Sequence, residues 1–149
     1  IEAAERAVNA ARARFELLRE SGAPAPSVRT AECDVFGAEE AAELAHAAKD
    51  GRLADVIAGR TPAEIEVLSV GDWNFVGWPG EFFVDYALEV RRRAPGTYVV
   101  TLSNGELQGY IVTPEAAARG GYEASNAIFA AENGASFVAA TLDLIAKTS

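Results

Sequence analysis

The texture of the chain changes at Ala63, and that change limits the folds open to it. Upstream, Ile1, Ala4, Val8, Ala11, Phe15 and Leu18 recur at alternating spacings of three and four, with Glu and Arg on the opposite face. This period predicts an amphipathic helix, ended by Ser21-Gly22. The same spacing suits a coiled coil, but a run shorter than three heptads gives no preference for that over packing on a sheet. Ala23-Pro24-Ala25-Pro26-Ser27 predicts a short extended connector, residues 28–35 a strand, and residues 38–49 a second helix broken by Asp50-Gly51. A short third helix is expected over residues 53–58.

Downstream the chain turns β-branched. Ile65, Val67 and Ser69 alternate against Glu64, Glu66 and Leu68, and after Gly71-Asp72 comes the run 73–78, so the two read as a hairpin. Residues 82–93 then predict a helix, 97–102 a strand, and 135–147 a closing helix with Phe137, Val138, Leu142 and Ile145 inward. The order of elements predicts an α+β or mixed α/β fold with amphipathic helices packed on a sheet. Residues 1–62 form its mainly helical segment, and 63–149 carry the hairpin, helix, strand and a long irregular stretch, 103–133. Irregular stretches of that length in a compact domain tend to carry function.

A chain of 149 residues, half of them hydrophobic, is enough for one domain or part of one. A net charge of −9 argues against nucleic acid or an anionic membrane as partner, because both demand a cationic surface; Arg91-Arg92-Arg93 is too short to reverse that. The expectation is a soluble protein, since no run approaches the ~20 apolar residues of a membrane span. Cys33 is the single cysteine, which rules out an intrachain disulfide and a Cys-rich zinc module. The sequence contains no methionine, so a processed or trimmed segment is expected.

Three residues stand where chemistry can be built. Glu81 follows Pro79-Gly80, a tight turn able to aim a carboxylate out of a strand end; the plainer alternative is a first-turn glutamate complementing a helix dipole. Tyr110 lies between Gly109 and Ile111-Val112, as either a site phenol or an ordinary sheet aromatic. Tyr122 follows Gly120-Gly121, a pair that permits an unusual turn or close approach of a ligand. His46, among Ala45, Ala47 and Ala48, has no second histidine or cysteine at ligand spacing and reads as a helix residue. Asp34, Glu39 and Glu40 read as solvated or capping groups. Trp73, Phe75, Trp78, Phe82 and Phe83 suit a core as well as a lipid groove.

Together, Pro79-Gly80-Glu81-Phe82, Tyr110-Ile111-Val112-Thr113-Pro114-Glu115 and Tyr122-Glu123-Ala124-Ser125 resemble, in order, three segments of the neutral/alkaline non-lysosomal ceramidase family. The resemblance spans residues 65–125. It implies that Glu81 and Tyr110 are zinc ligands and that Tyr122 helps hold the reacting carbonyl. Phe83-Val84 stand where the family has Thr-Thr, Asn104 is displaced by about one position from the family's asparagine, and, with these residues ending soon after the last helix, the family's C-terminal immunoglobulin-like domain is not expected within them.

What the resemblance implies is the C-terminal portion of a larger catalytic domain: part of a zinc-dependent hydrolase cleaving an amide by metal-activated water. The family's two histidine ligands do not match His46. They would come from an upstream segment or a second chain, and this chain alone would be inactive. The substrate would be a small-molecule or lipid amide. An alternative is a ceramidase-like scaffold without metal that serves as a binding or assembly module; a zinc hydrolase for a sugar or peptide amide would keep the mechanism and change the pocket.

Overall fold

The computed structural model describes residues 1–148 and divides into two compact units, Ile1–Val56 and Ile57–Ser149. It is a mixed helix-and-sheet, α+β protein. Among the described residues no helix is long and apolar enough to cross a membrane.

The first unit is a helical hairpin of α1 (Glu2–Glu20) and α2 (Ala25–Asp50). Helix α1 ends at Ser21, as the sequence predicts. The connector and the strand expected over 28–35 are both corrected: α2 begins at Ala25, with Pro24 as N-cap, and runs unbroken to Gly51. Proline in a first turn lacks only an N–H that a helix start leaves unpaired, so Pro24 and Pro26 open a helix. Val28, Ala31, Val35 and Ala38 then follow the three-and-four spacing of a helical face, and Ala31 is 1% exposed. Small residues Ala31, Gly37 and Ala47 line the buried side. Across the hairpin Arg12 reaches Glu39 at 2.6 Å and Arg14 reaches Asp34 at 3.1 Å. These exposed pairs fix register more than they stabilise. Helix α3 (Arg52–Arg60) follows, close to the expected span.

The second unit is built on two small sheets. Strands β1 (Glu66–Val70) and β2 (Trp73–Gly77) form the expected hairpin, and β4 (Thr97–Val100) adds to β2 in parallel. Strand β3 (Glu81–Phe82) pairs in parallel with β5 (Tyr110–Ile111). Helix α4 (Val84–Arg93) connects β3 to β4, and α7 (Glu132–Thr148) closes the unit. Val76, Trp78, Tyr86, Val90, Ile111, Val138 and Ile145 form the core, with Phe82, Phe137 and Leu142 packed against it. Burial of each large apolar side chain contributes about 1.5–3 kcal/mol. The four residues expected inward on α7 lie in or against the core, and Gly134 and Thr141, which the periodicity does not mark, are buried with them.

Two interactions hold α7 in place. The Trp78 indole Nε1 donates to Thr141 Oγ1 at 2.9 Å in the buried core. The Tyr86 hydroxyl lies 2.9 Å from both the Val112 and Ala131 carbonyl oxygens.

Candidate functional site

The candidate residues are brought together by β3 and β5. Pro79 and Gly80 are buried behind Trp78, so the turn is clamped before it releases Glu81. The Leu102 amide donates to the Gly80 carbonyl at 3.3 Å, and the Phe83 amide donates to the Ile111 carbonyl at 3.1 Å. Between these bonds Glu81 stands in register with Tyr110, and Phe82 with Ile111. Successive strand residues alternate in face. Phe82 packs on the core and Ile111 is buried in it, so Glu81 and Tyr110 share the other face, where Glu81 is exposed.

Glu81 is a strand residue that precedes the N-cap of α4, Phe83. The first-turn reading of this glutamate is therefore corrected; the acidic residue of that turn is Asp85. The helix begins late because Glu81 and Phe82 take extended backbone to pair with β5.

Tyr122 reaches the same place from the irregular stretch. Thr113 caps the short helix α5 (Pro114–Arg119), accepting from the Ala116 amide at 3.2 Å. Gly120 and Gly121 then take positive φ values, 74° and 110°, and start the single turn α6 (Tyr122–Ser125). The Tyr122 carbonyl oxygen accepts from Asn126 Nδ2 at 2.9 Å, from the Asn126 amide at 3.2 Å and from Ser125 Oγ at 2.8 Å. Its ring meets the Tyr110 ring edge-on, with centroids 5.9 Å apart and planes at 69°. Glu81, Tyr110 and Tyr122 are thus neighbours, although they come from three separate segments.

Asn126 ties this arrangement together, and the motif reading of the sequence did not single it out. It is 2% exposed, and its backbone carbonyl accepts from the Tyr110 amide at 3.4 Å. One residue therefore holds the backbones of both tyrosines. The four-residue spacing from Tyr122 to Asn126, a helical turn, is the sequence signal that points to it. Asn104 adopts φ 61°, a conformation asparagine tolerates, and sits in the loop that leads to Tyr110.

As a zinc site the cluster fits in part. A carboxylate and a phenol on one strand face are hard oxygen donors of the kind zinc accepts alongside nitrogen ligands. The sequence has a single histidine, His46, which lies on α2 with Nε2 3.3 Å from Glu5 Oε1. Among the described residues, no group of three His, Cys, Asp or Glu side chains is placed to hold a metal ion. Compared with protein-family models, with curated proteins and with solved structures, the chain matches none.

Proposed function

We propose that Glu81 and Tyr110 are two ligands of zinc in an amide hydrolase similar to the neutral/alkaline ceramidases, and that Tyr122 holds the reacting carbonyl. Two histidines from an upstream segment or a second chain would complete the ligand set. The observation that carries this reading is the in-register pairing of Glu81 with Tyr110, with the Tyr122 ring against Tyr110.

Each residue has work suited to its chemistry. The Glu81 carboxylate supplies the anionic ligand, and its neighbours Phe82 and Phe83 anchor the strand on the core. The Tyr110 phenol is fixed by the strand pairing. Zinc bound there would lower the pKa of a bound water and polarise an amide carbonyl. The Tyr122 hydroxyl then donates a hydrogen bond to the oxygen on which negative charge develops, where a preoriented donor counts most. Its backbone, held by Asn126 and Ser125, gives that donor a fixed origin.

The substrate class is an N-acyl amide, small or lipid. The test is Glu81→Gln in the protein assembled with the histidine-bearing segment. Elemental analysis should show most of the zinc lost, and amide hydrolysis should fall with it. Unchanged zinc content would overturn the ligand assignment. Assembled protein that carries no zinc before any substitution would favour the metal-free binding module.

A further inference from the structure

The outer face of the three-stranded sheet carries apolar side chains that no other element of the second unit covers. Register places Leu68 opposite Phe75 and Phe75 opposite Tyr98, with Val70 opposite Trp73 and Gly77 opposite Val100. Val67, Val76 and Val99 point to the core, so Leu68, Val70, Trp73, Phe75, Tyr98 and Val100 point outward. All six are exposed, Trp73 by 51% and Leu68 by 63%. The rings are ordered: Tyr98 lies 5.6 Å from Trp73 and 5.7 Å from Phe75.

From their fractional exposures these six side chains offer on the order of 600 Å² of apolar surface, at the upper limit for the largest patch of an ordinary monomer. A standard interface buries about 800 Å² per partner, of which roughly 65% is apolar at a homodimer contact. The patch matches that apolar share.

Its relief is self-complementary. A hollow bordered by Glu66, Leu68, Phe75, Gly77, Val100 and Ser103 lies on this face, with the Ser103 hydroxyl 3.0 Å from where a Cβ on Gly77 would stand. On the same strand and face, Trp73 projects as far to one side of Phe75 as the hollow lies to the other. We propose that this face binds a second copy of the chain about a twofold axis that crosses β2 at Phe75, so that each Trp73 fills the partner's Gly77 hollow. Such a contact is isologous and closed: knob and hollow are each used twice, so the contact does not propagate into a chain of copies. Glu66 at the hollow's rim offers a carboxylate to the incoming indole N–H. This inference is independent of the zinc reading.

The test is sedimentation velocity on the full chain, from micromolar to millimolar concentration and at two salt levels. A reversible monomer–dimer equilibrium is expected. Salt should strengthen it, because each copy carries a net charge of −9. Trp73→Glu should weaken it by about thirtyfold or more, as expected for loss of a central aromatic anchor, with the circular dichroism spectrum unchanged. Glu66→Trp discriminates: it fills the hollow and should weaken the dimer, whereas unspecific apolar association would be strengthened by it. Val84→Glu, on α4 and exposed, should leave the equilibrium alone. A monomer at every concentration, or a dimer that Glu66→Trp tightens, would overturn the proposal.

Discussion

Gly109 and Asn126 approach so closely that a Cβ on Gly109 would stand 2.4 Å from the Asn126 carbonyl oxygen. Gly109 also takes φ 78°, which L side chains rarely adopt. This contact sets the spacing between the strand of Tyr110 and the turn of Tyr122.

Gly109→Ala should therefore do more than strain one residue. Both the backbone conformation and the clash act against it, so a loss of about 2–3 kcal/mol is expected. In a chain of this size that lowers Tm by roughly 5–10 °C. Gly120→Ala is the comparison, since it shares a positive φ, 74°, but meets nothing within 4 Å; with backbone conformation alone against it, its cost should be the smaller of the two. Equal shifts for the two variants in a thermal melt would show that the Asn126 contact does not matter.

Tyr86 crosses α7 where Gly134 leaves room, and a Cβ at Gly134 would fall 2.0 Å from the ring's Cζ. Burial, followed by the charges of Glu115, Asp85 and Glu132, raises the phenol's pKa above its ordinary value of 10.0. The unfolded chain then releases this proton at lower pH than the folded one. Stability from Tyr86 should be intact below pH 10 and decline as pH rises through the folded-state value. Tyr86→Phe should flatten this alkaline decline in chemical-denaturation curves, while costing about 1–3 kcal/mol at neutral pH through the bonds to Val112 and Ala131. An alkaline limb that survives unchanged in the variant would assign it to other groups.

The buried pair Trp78 and Thr141 gives a cleaner hydrogen-bond measurement. Thr141→Val keeps the volume and removes the acceptor of the indole N–H. An unpaired buried donor costs about 1–3 kcal/mol. Urea unfolding of the two proteins should show that difference in midpoint with the slope preserved.

Much of the second unit was legible because its signals are local. Val67 and Val76 alternate with outward neighbours, and Gly71 at φ 58° turns the hairpin, so period and turn chemistry agree. The closing helix announced its inner face through Phe137, Val138, Leu142 and Ile145. Residues 28–35 were misread because two prolines looked extended, when a helix start accommodates both. The two-residue strands β3 and β5 are too short to show a period, and their pairing joins residues far apart in sequence. Motifs mark Glu81, Tyr110 and Tyr122, but for Asn126 the only sequence signal is its one-turn spacing from Tyr122, because it acts mainly through backbone contacts.

Tyr122→Phe separates a catalytic phenol from a packing one. The Tyr122 backbone is held by Asn126 and Ser125 through its carbonyl oxygen, and its ring packs edge-on against Tyr110. Removing only the hydroxyl leaves these carbonyl bonds and the ring contact in place, so the folded state should be retained, as circular dichroism would check. On the proposed function the hydroxyl supplies a donor to the developing oxyanion, and loss of one such donor lowers kcat by about 100-fold or more. Zinc content should stay constant because Tyr122 is not among the proposed ligands. The measurement is kcat and elemental zinc on the assembled protein, beside Tyr110→Phe, which should lose metal. A Tyr122→Phe protein that keeps its kcat would place the hydroxyl outside the reaction and leave Tyr122 as a wall for Tyr110.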